Sequence, residues 1–187
     1  VAHGGGTAVG VAKAVALDRS VSIAAIPTTY AGSELTNIWG VTADGIKSTG
    51  RDERVRPRLV LYDPDLLSPL RREIAQNSLF NALAHSIEAL YIDDFEIRRA
   101  AEESIVSILA GLTTSDVGES LYGAMLAGTV LGQAPMALHH KLVHVLGGTF
   151  GTPHAATHAA LLPYSTAYNL KDAPEAREAL QRATGST

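Results

Sequence analysis

The sequence contains no cysteine. Disulfides and thiolate metal sites are therefore excluded, and any metal would have to use imidazole, carboxylate or amide ligands. No run of about 18 apolar residues occurs, so no transmembrane helix is expected, and no signal-peptide pattern opens the chain. Charge is sparse as well: 18% of the 187 residues are charged and the net charge is -4. That balance argues against nucleic acid or an anionic membrane as a partner. What is plentiful is small and aliphatic. At 46% hydrophobic, the chain can bury a sizeable core, and a cysteine-free composition fits a reducing, cytoplasmic setting.

Val1 is not an initiator methionine, and "VAHGGG" reads as the tail of a strand entering a glycine turn. The expectation is a piece of a longer chain. The first third alternates: "VAH", a helix over "TAVGVAKAVAL", then strands over Val21 to Pro27, Ile38 to Ala43 and Leu59 to Asp63. The stretch "DGIKSTGRDERVRP" between the last two reads as a charged loop. Beyond Pro64 only helical periodicity remains. Pro69 is placed as a first helical residue behind a Ser68 cap, Gly111 as a helix stop and Gly147 as a C′ residue. The expected architecture is an α/β part with a parallel-type sheet over 1–66, followed by an all-helical domain over 67–187.

Three constellations carry chemistry. Gly4, Gly5 and Gly6 lie between a strand and a helix, where backbone N–H groups and the helix N-terminus favour a phosphate. It is not the G-x-G-x-x-G fingerprint, and a plain tight turn remains open. "PTTYAGSE" follows the next strand, so Thr28, Thr29 and Ser33, with Thr36 just beyond, could line a nucleotide, because open α/β sheets bind ligands outside their strand ends. The third constellation is histidine. Asn81 and His85, His140 and His144, and His154 and His158 each stand four apart, so each pair projects from one helix face. Three such pairs suggest a common cleft. Imidazole serves as metal ligand or proton carrier near neutral pH, and spacing alone does not choose between them.

In order, "GGGT", "TTYAGSE", "NALAH", "HKLVH" and "TPHAATHAALLP" resemble the iron-containing (group III) alcohol dehydrogenase superfamily across nearly the whole chain. The resemblance implies a dinucleotide-binding α/β domain, a helical catalytic domain and an active site between them, of the dehydroquinate synthase-like type. It also implies upstream strands and further C-terminal helices beyond this chain. The usual metal set of that superfamily, one Asp and three His, falls on Asn81, His85, His140 and His154, so the carboxylate is replaced by a neutral amide. Together with "HHKLVHVLGGTF" and "KSTGRD", this is similar to the maleylacetate reductase branch.

That resemblance implies reduction of the conjugated C=C bond of maleylacetate to 3-oxoadipate by NADH or NADPH, in aromatic-compound degradation, with no metal expected. His144 would be the first choice for proton transfer, with His140, His85, His154 and Asn81 around it. Lys141, Arg51 and His158 are candidates for the dicarboxylate substrate, and Lys47 for the nucleotide ribose. A homodimer is expected of the full-length protein. Two alternatives stand: a metal-dependent alcohol dehydrogenase of the same fold, and a non-catalytic fragment.

Overall fold

The computed structural model describes residues 1–43 and 46–185, leaving aside the side chains of residues 42–47. Short apolar runs of small and β-branched residues build a parallel sheet in the order β1-β2-β5, from β1 (Ala2–Gly4), β2 (Ala24–Pro27) and β5 (Leu59–Val60). Ala2 pairs with Ala25, and Ala24 with Leu59. Helix α1 (Gly6–Asp18) links β1 to β2 and buries Val9, Lys13 and Ala16, a spacing of four and three that keeps them on one face. β2 and β5 are shorter than the sequence suggests: Val21 to Ile23 and Leu61 to Asp63 fall outside them, although the Arg58 N–H donates to the Ile23 carbonyl and the Leu61 N–H to the Ala25 carbonyl.

Part of the segment read as a charged loop is a strand. β3 (Ile38–Ala43) and β4 (Ile46–Arg51) form an antiparallel hairpin, with Trp39 opposite Gly50. A Cβ at Gly50 would lie 2.8 Å from the Trp39 ring, so this glycine is the seat of the indole. The polar character of Lys47, Ser48 and Thr49 hid a strand that belongs to a separate two-stranded sheet. Asp44 and Gly45, also part of the segment read as a loop, lie outside the described residues.

From Pro64 onward every described element is helical. α2 (Pro64–Leu67) starts at Asp63, whose side chain accepts from the Asp65 N–H, with Pro64 in the first turn. Ser68 ends that helix by donating to the Pro64 carbonyl, so Ser68 and Pro69 close a helix rather than open one. α3 (Arg72–Ala89), α4 (Phe95–Thr114) and α5 (Val117–Gln133) pack around Leu79, Leu83, Ile105, Ile108 and Leu121. Asp94 and Asp116 cap α4 and α5. Gly111 does not stop α4. It lies inside α4 and lets α5 approach closely, since a Cβ there would collide with Ser120.

α6 (Leu138–Phe150), α7 (His154–Asn169) and α8 (Pro174–Thr184) complete the chain. Gly147 is inside α6, and the left-handed C-terminal residue is Gly151, at φ 64°. No single helix among the described residues is long and apolar enough to cross a membrane.

Gly32 and Arg51 help to join the strand part to the helices. Gly32 has φ 77°, and a Cβ on it would sit 2.9 Å from Cα of Gly128 in α5. A side chain at either glycine would push the "AGSE" turn off the helix. Arg51, at the end of β4, donates to the carbonyls of Gly132 and Ala134 at the C-terminus of α5, where exposed carbonyls and the helix dipole favour a cation.

Candidate active site

The strand ends and the helices enclose a cavity of about 360 Å³. Its strand wall begins at the glycine turn. Gly4 takes φ 143°, a conformation open to glycine alone, and Gly5 opens α1 with no side-chain cap. The first N–H groups of α1 are therefore not taken by a capping side chain and can meet a phosphate. A Cβ on Gly5 would lie 3.0 Å from Thr29, so Thr29 packs directly on the turn, while the Thr28 N–H donates to the Gly4 carbonyl. Gly6, Ser33 and Thr36 line the cavity, and Thr28 and Thr29 do not. Lys47 stands on β4 opposite Thr42, with its side chain outside the described residues.

The anchor of this wall was not among the residues singled out from sequence. Lys13 is buried, and its ammonium donates to the carbonyls of Ser33 (2.7 Å), Thr36 (2.8 Å) and Ile38 (2.7 Å), with Thr36 Oγ1 at 3.0 Å. Burial lowers its pKa to about 8, partly opposed by the Glu34 carboxylate. Glu34 is itself buried and accepts from the Tyr62 hydroxyl at 2.9 Å; burial raises its pKa. A lone lysine in step with Val9 and Ala16 on an otherwise small-residue helix was the available signal.

The helix wall brings the three expected pairs together. Asn81 and His85 of α3, His140 and His144 of α6, and His154 of α7 all line the cavity. The His85 and His140 rings stack at 4.4 Å, 13° from parallel, and His144 and His154 lie 5.7 Å apart. His158 is placed differently from a substrate contact. It is fully buried behind the wall, between His139 (2.9 Å) and His154 (3.2 Å). Arg51 is also placed differently, since its guanidinium is engaged by Asn37 and the α5 carbonyls. Lys141 is exposed and borders, with Arg51 and His144, a second cavity of about 530 Å³.

Glu88 is the second residue that sequence reasoning passed over. It follows Asn81 and His85 on the same face of α3, at i+7 and i+3. Its buried carboxylate accepts from His140 Nδ1 at 2.6 Å and from the N–H groups of Ala137 and His140. Burial alone would raise its pKa, but these hydrogen bonds and the nearby imidazole bring it below the usual value. Glu88 thus caps the N-terminus of α6 and, through Nδ1, fixes the His140 ring with Nε2 on its other edge.

Burial, and then the neighbouring imidazoles, also set the charge state of the wall. The pKa of His85 is held well below 6.5, that of His139 falls to about 4 and that of His158 to about 2. These rings are neutral at physiological pH. Asn81 Oδ1, His85 Nδ1 and His140 Nε2 are buried without a hydrogen-bond partner. Desolvated polar atoms of this kind are costly unless a ligand meets them. The wall is therefore shaped to bind polar groups and to hold or pass protons.

Residues 1–64 match the profile of the iron-containing alcohol dehydrogenases, and residues 75–187 that of the C-terminal region of the Fe-containing alcohol dehydrogenase family. The chain belongs to this family. Among individual proteins it is similar to the maleylacetate reductase of Sphingobium indicum, with 50% identity covering 99% of this chain and 55% of that protein. The maleylacetate reductase of Burkholderia cepacia is 48% identical over the same shares. The crystal structure of maleylacetate reductase from a Rhizobium species superposes with a TM-score of 0.94 at 41% identity, covering 98% of this chain and 55% of that one. The chain spans about half the length of the relatives it matches. The expected two-part fold, a small parallel sheet followed by helices, is the fold of these neighbours.

Proposed function

We propose that this chain carries the histidine wall and part of the nucleotide cradle of an NADH- or NADPH-dependent reductase that converts maleylacetate to 3-oxoadipate. The single observation that carries the reading is the helix wall: an amide at Asn81 beside the neutral His85 imidazole and the rings of His140, His144 and His154, facing a glycine turn across one cavity. Residues 1–66 would hold the nucleotide and 67–187 the substrate.

A nicotinamide held at the glycine turn would supply the hydride for the alkene carbon β to the ketone. The alkene electrons then move onto the ketone oxygen, and the α-carbon takes a proton, so one hydride and one proton saturate the double bond. The developing oxyanion needs aimed donors in a closed site, worth about 2.7–4 kcal/mol for one donor in a well-studied enzyme. Glu88 fixes the His140 ring through Nδ1, leaving its Nε2 edge for the substrate, and Asn81 can present its amide N–H. His144, with His154 beside it at 5.7 Å, delivers the proton to carbon. Lys141, in the cavity bordering His144, receives a substrate carboxylate. The glycine turn, with no side-chain cap on α1, fits the nucleotide phosphates.

The family name carries iron, and the residues present fit it poorly. The donor set lacks a direct carboxylate, and His154 Nε2 is engaged by His158. Among the described residues no three His, Asp or Glu side chains converge as a cage. We take the reaction to run without a bound metal, by a cytoplasmic homodimer. The test is to add maleylacetate to the complete natural protein with NADH or NADPH and follow the near-ultraviolet absorbance of the reduced nicotinamide. Steady loss supports the reading, and no loss with either nucleotide ends it. Stoichiometric iron or zinc, with activity lost to a chelator, would instead favour a metal-dependent alcohol dehydrogenase.

A further inference from the structure

Behind the wall lies a chain of groups that the proposed reaction does not use. Ser165 Oγ sits 2.8 Å from His139 Nδ1, His139 Nε2 sits 2.9 Å from His158 Nδ1, and His158 Nε2 sits 3.2 Å from His154 Nε2. His139, His158 and Ser165 are buried. The chain runs from the interior of α7 through α6 and back to the ring that α7 presents to the cleft.

Which nitrogens carry protons follows from the far end. Ser165 Oγ is also 3.2 Å from the carbonyls of Leu161 and Leu162, which can only accept. The serine proton therefore goes to a carbonyl, and His139 Nδ1–H donates to the serine oxygen. His139 Nε2 is then an acceptor, so His158 carries its proton on Nδ1. His158 Nε2 is in turn an acceptor, so His154 Nε2 must donate. Run this way, the chain makes four hydrogen bonds: serine to carbonyl, and three between neighbours. Run in reverse, the serine proton is spent on His139 and only the three between neighbours survive.

We infer that Ser165, His139 and His158 are positioning residues that commit His154 Nε2 to donating into the protein, so that His154 meets the cleft by its Nδ1 edge alone. The chain is a clamp and not a proton conduit. A proton entering at His154 and passed along this chain would have to leave through a serine whose other hydrogen-bond partners among the described residues are main-chain carbonyls, so it dead-ends. The clamp also withholds His154 Nε2 from any cation. This deepens the reductase reading and rests on it only for the role of His154; the proton order itself does not.

The test is nitrogen NMR of ring-labelled histidine in the complete natural protein at neutral pH, without substrate. The expected result is His154 bearing its proton on Nε2, with His139 and His158 bearing theirs on Nδ1. His154 in the Nδ1–H form, or His158 with its proton on Nε2, overturns the proposal. In Ser165→Ala both directions retain two bonds between neighbouring rings, so His154 should become a mixture of tautomers. The kcat with maleylacetate should fall several-fold with KM for NADH unchanged, and Ser165→Thr should restore both. A Ser165→Ala protein that keeps a single His154 tautomer also overturns it. Failure to consume NADH, with the tautomers as expected, would sink the reductase reading and leave the clamp standing.

Discussion

The two walls of the cleft bury polar groups by opposite means. On the strand side one cation, Lys13, meets four oxygens, three of them main-chain carbonyls, and every proton on its ammonium has a fixed acceptor. On the helix side, imidazoles satisfy one another, and Asn81 Oδ1, His85 Nδ1 and His140 Nε2 are left buried and unmatched. The strand wall is saturated around its cation and leaves one lining hydroxyl, Ser33 Oγ, unmatched among the described residues. An unsaturated wall keeps atoms whose desolvation is offset when a ligand arrives, and real proteins tolerate such departures mainly at functional sites.

Breaking the saturated wall should have the largest effect. Lys13→Met strands the carbonyls of Ser33, Thr36 and Ile38 in the interior, and a loss of about 4 kcal/mol of unfolding free energy is expected. A denaturant midpoint that does not move would show that the "AGSE" turn holds without this cation.

Acid should act on the other wall. His85, His139 and His158 fold with pKa values below 6.5, so the unfolded chain binds protons that the folded one refuses. Their stabilising neutrality is complete above about pH 6.5 and is lost as pH falls toward and through their folded values. For His139, at about 4, the loss on reaching that pH is about 3 kcal/mol. Melting temperature should fall clearly between pH 6.5 and 4. A flat profile across that window contradicts the neutral wall.

Much of this contrast was legible in the chain, but unevenly. Residues four apart on a helix share a face whatever the tertiary structure, so Asn81/His85, His140/His144 and His154 could be placed in one cleft from spacing alone. Spacing gives no depth, however. His158 has the same interval as its neighbours and lies behind the wall because α6 brings His139 against it. Arg51 looked like a carboxylate partner because its target, the end of α5, is 81 residues away. β4 was missed because its strand signal is polar and its partner β3 supplies the aromatic packing. Lys13 and Glu88 were missed for a shared reason. A charged side chain reads as solvent-facing unless its step along the helix is compared with the apolar residues beside it.

Glu88 tests whether the helix wall depends on one fixed acceptor. Glu88→Gln with its NH₂ turned toward His140 Nδ1 keeps an oxygen for the His140 N–H but takes away the one that the Ala137 N–H and Nδ1 share. A stability loss of about 2 kcal/mol is expected, with kcat down roughly tenfold and KM for NADH little changed. An undiminished kcat would remove Glu88 from the positioning of His140.

The smallest effects separate two surface cations that sequence treats alike. Arg51 spends its guanidinium on the carbonyls of Gly132 and Ala134, so Arg51→Met should cost under about 1 kcal/mol of stability and leave KM for maleylacetate unchanged. Lys141 is exposed beside His144, and its ammonium pairs with no hydrogen-bond or ion-pair partner among the described residues. Lys141→Met should therefore leave the melting temperature in place while KM for maleylacetate rises, because the substrate carboxylate loses its counter-charge. The two variants should thus fail in different assays. If Arg51→Met raised KM instead, the guanidinium would be serving both the helix end and the substrate, and the division between a wall that holds and a wall that binds would have to be redrawn at β4.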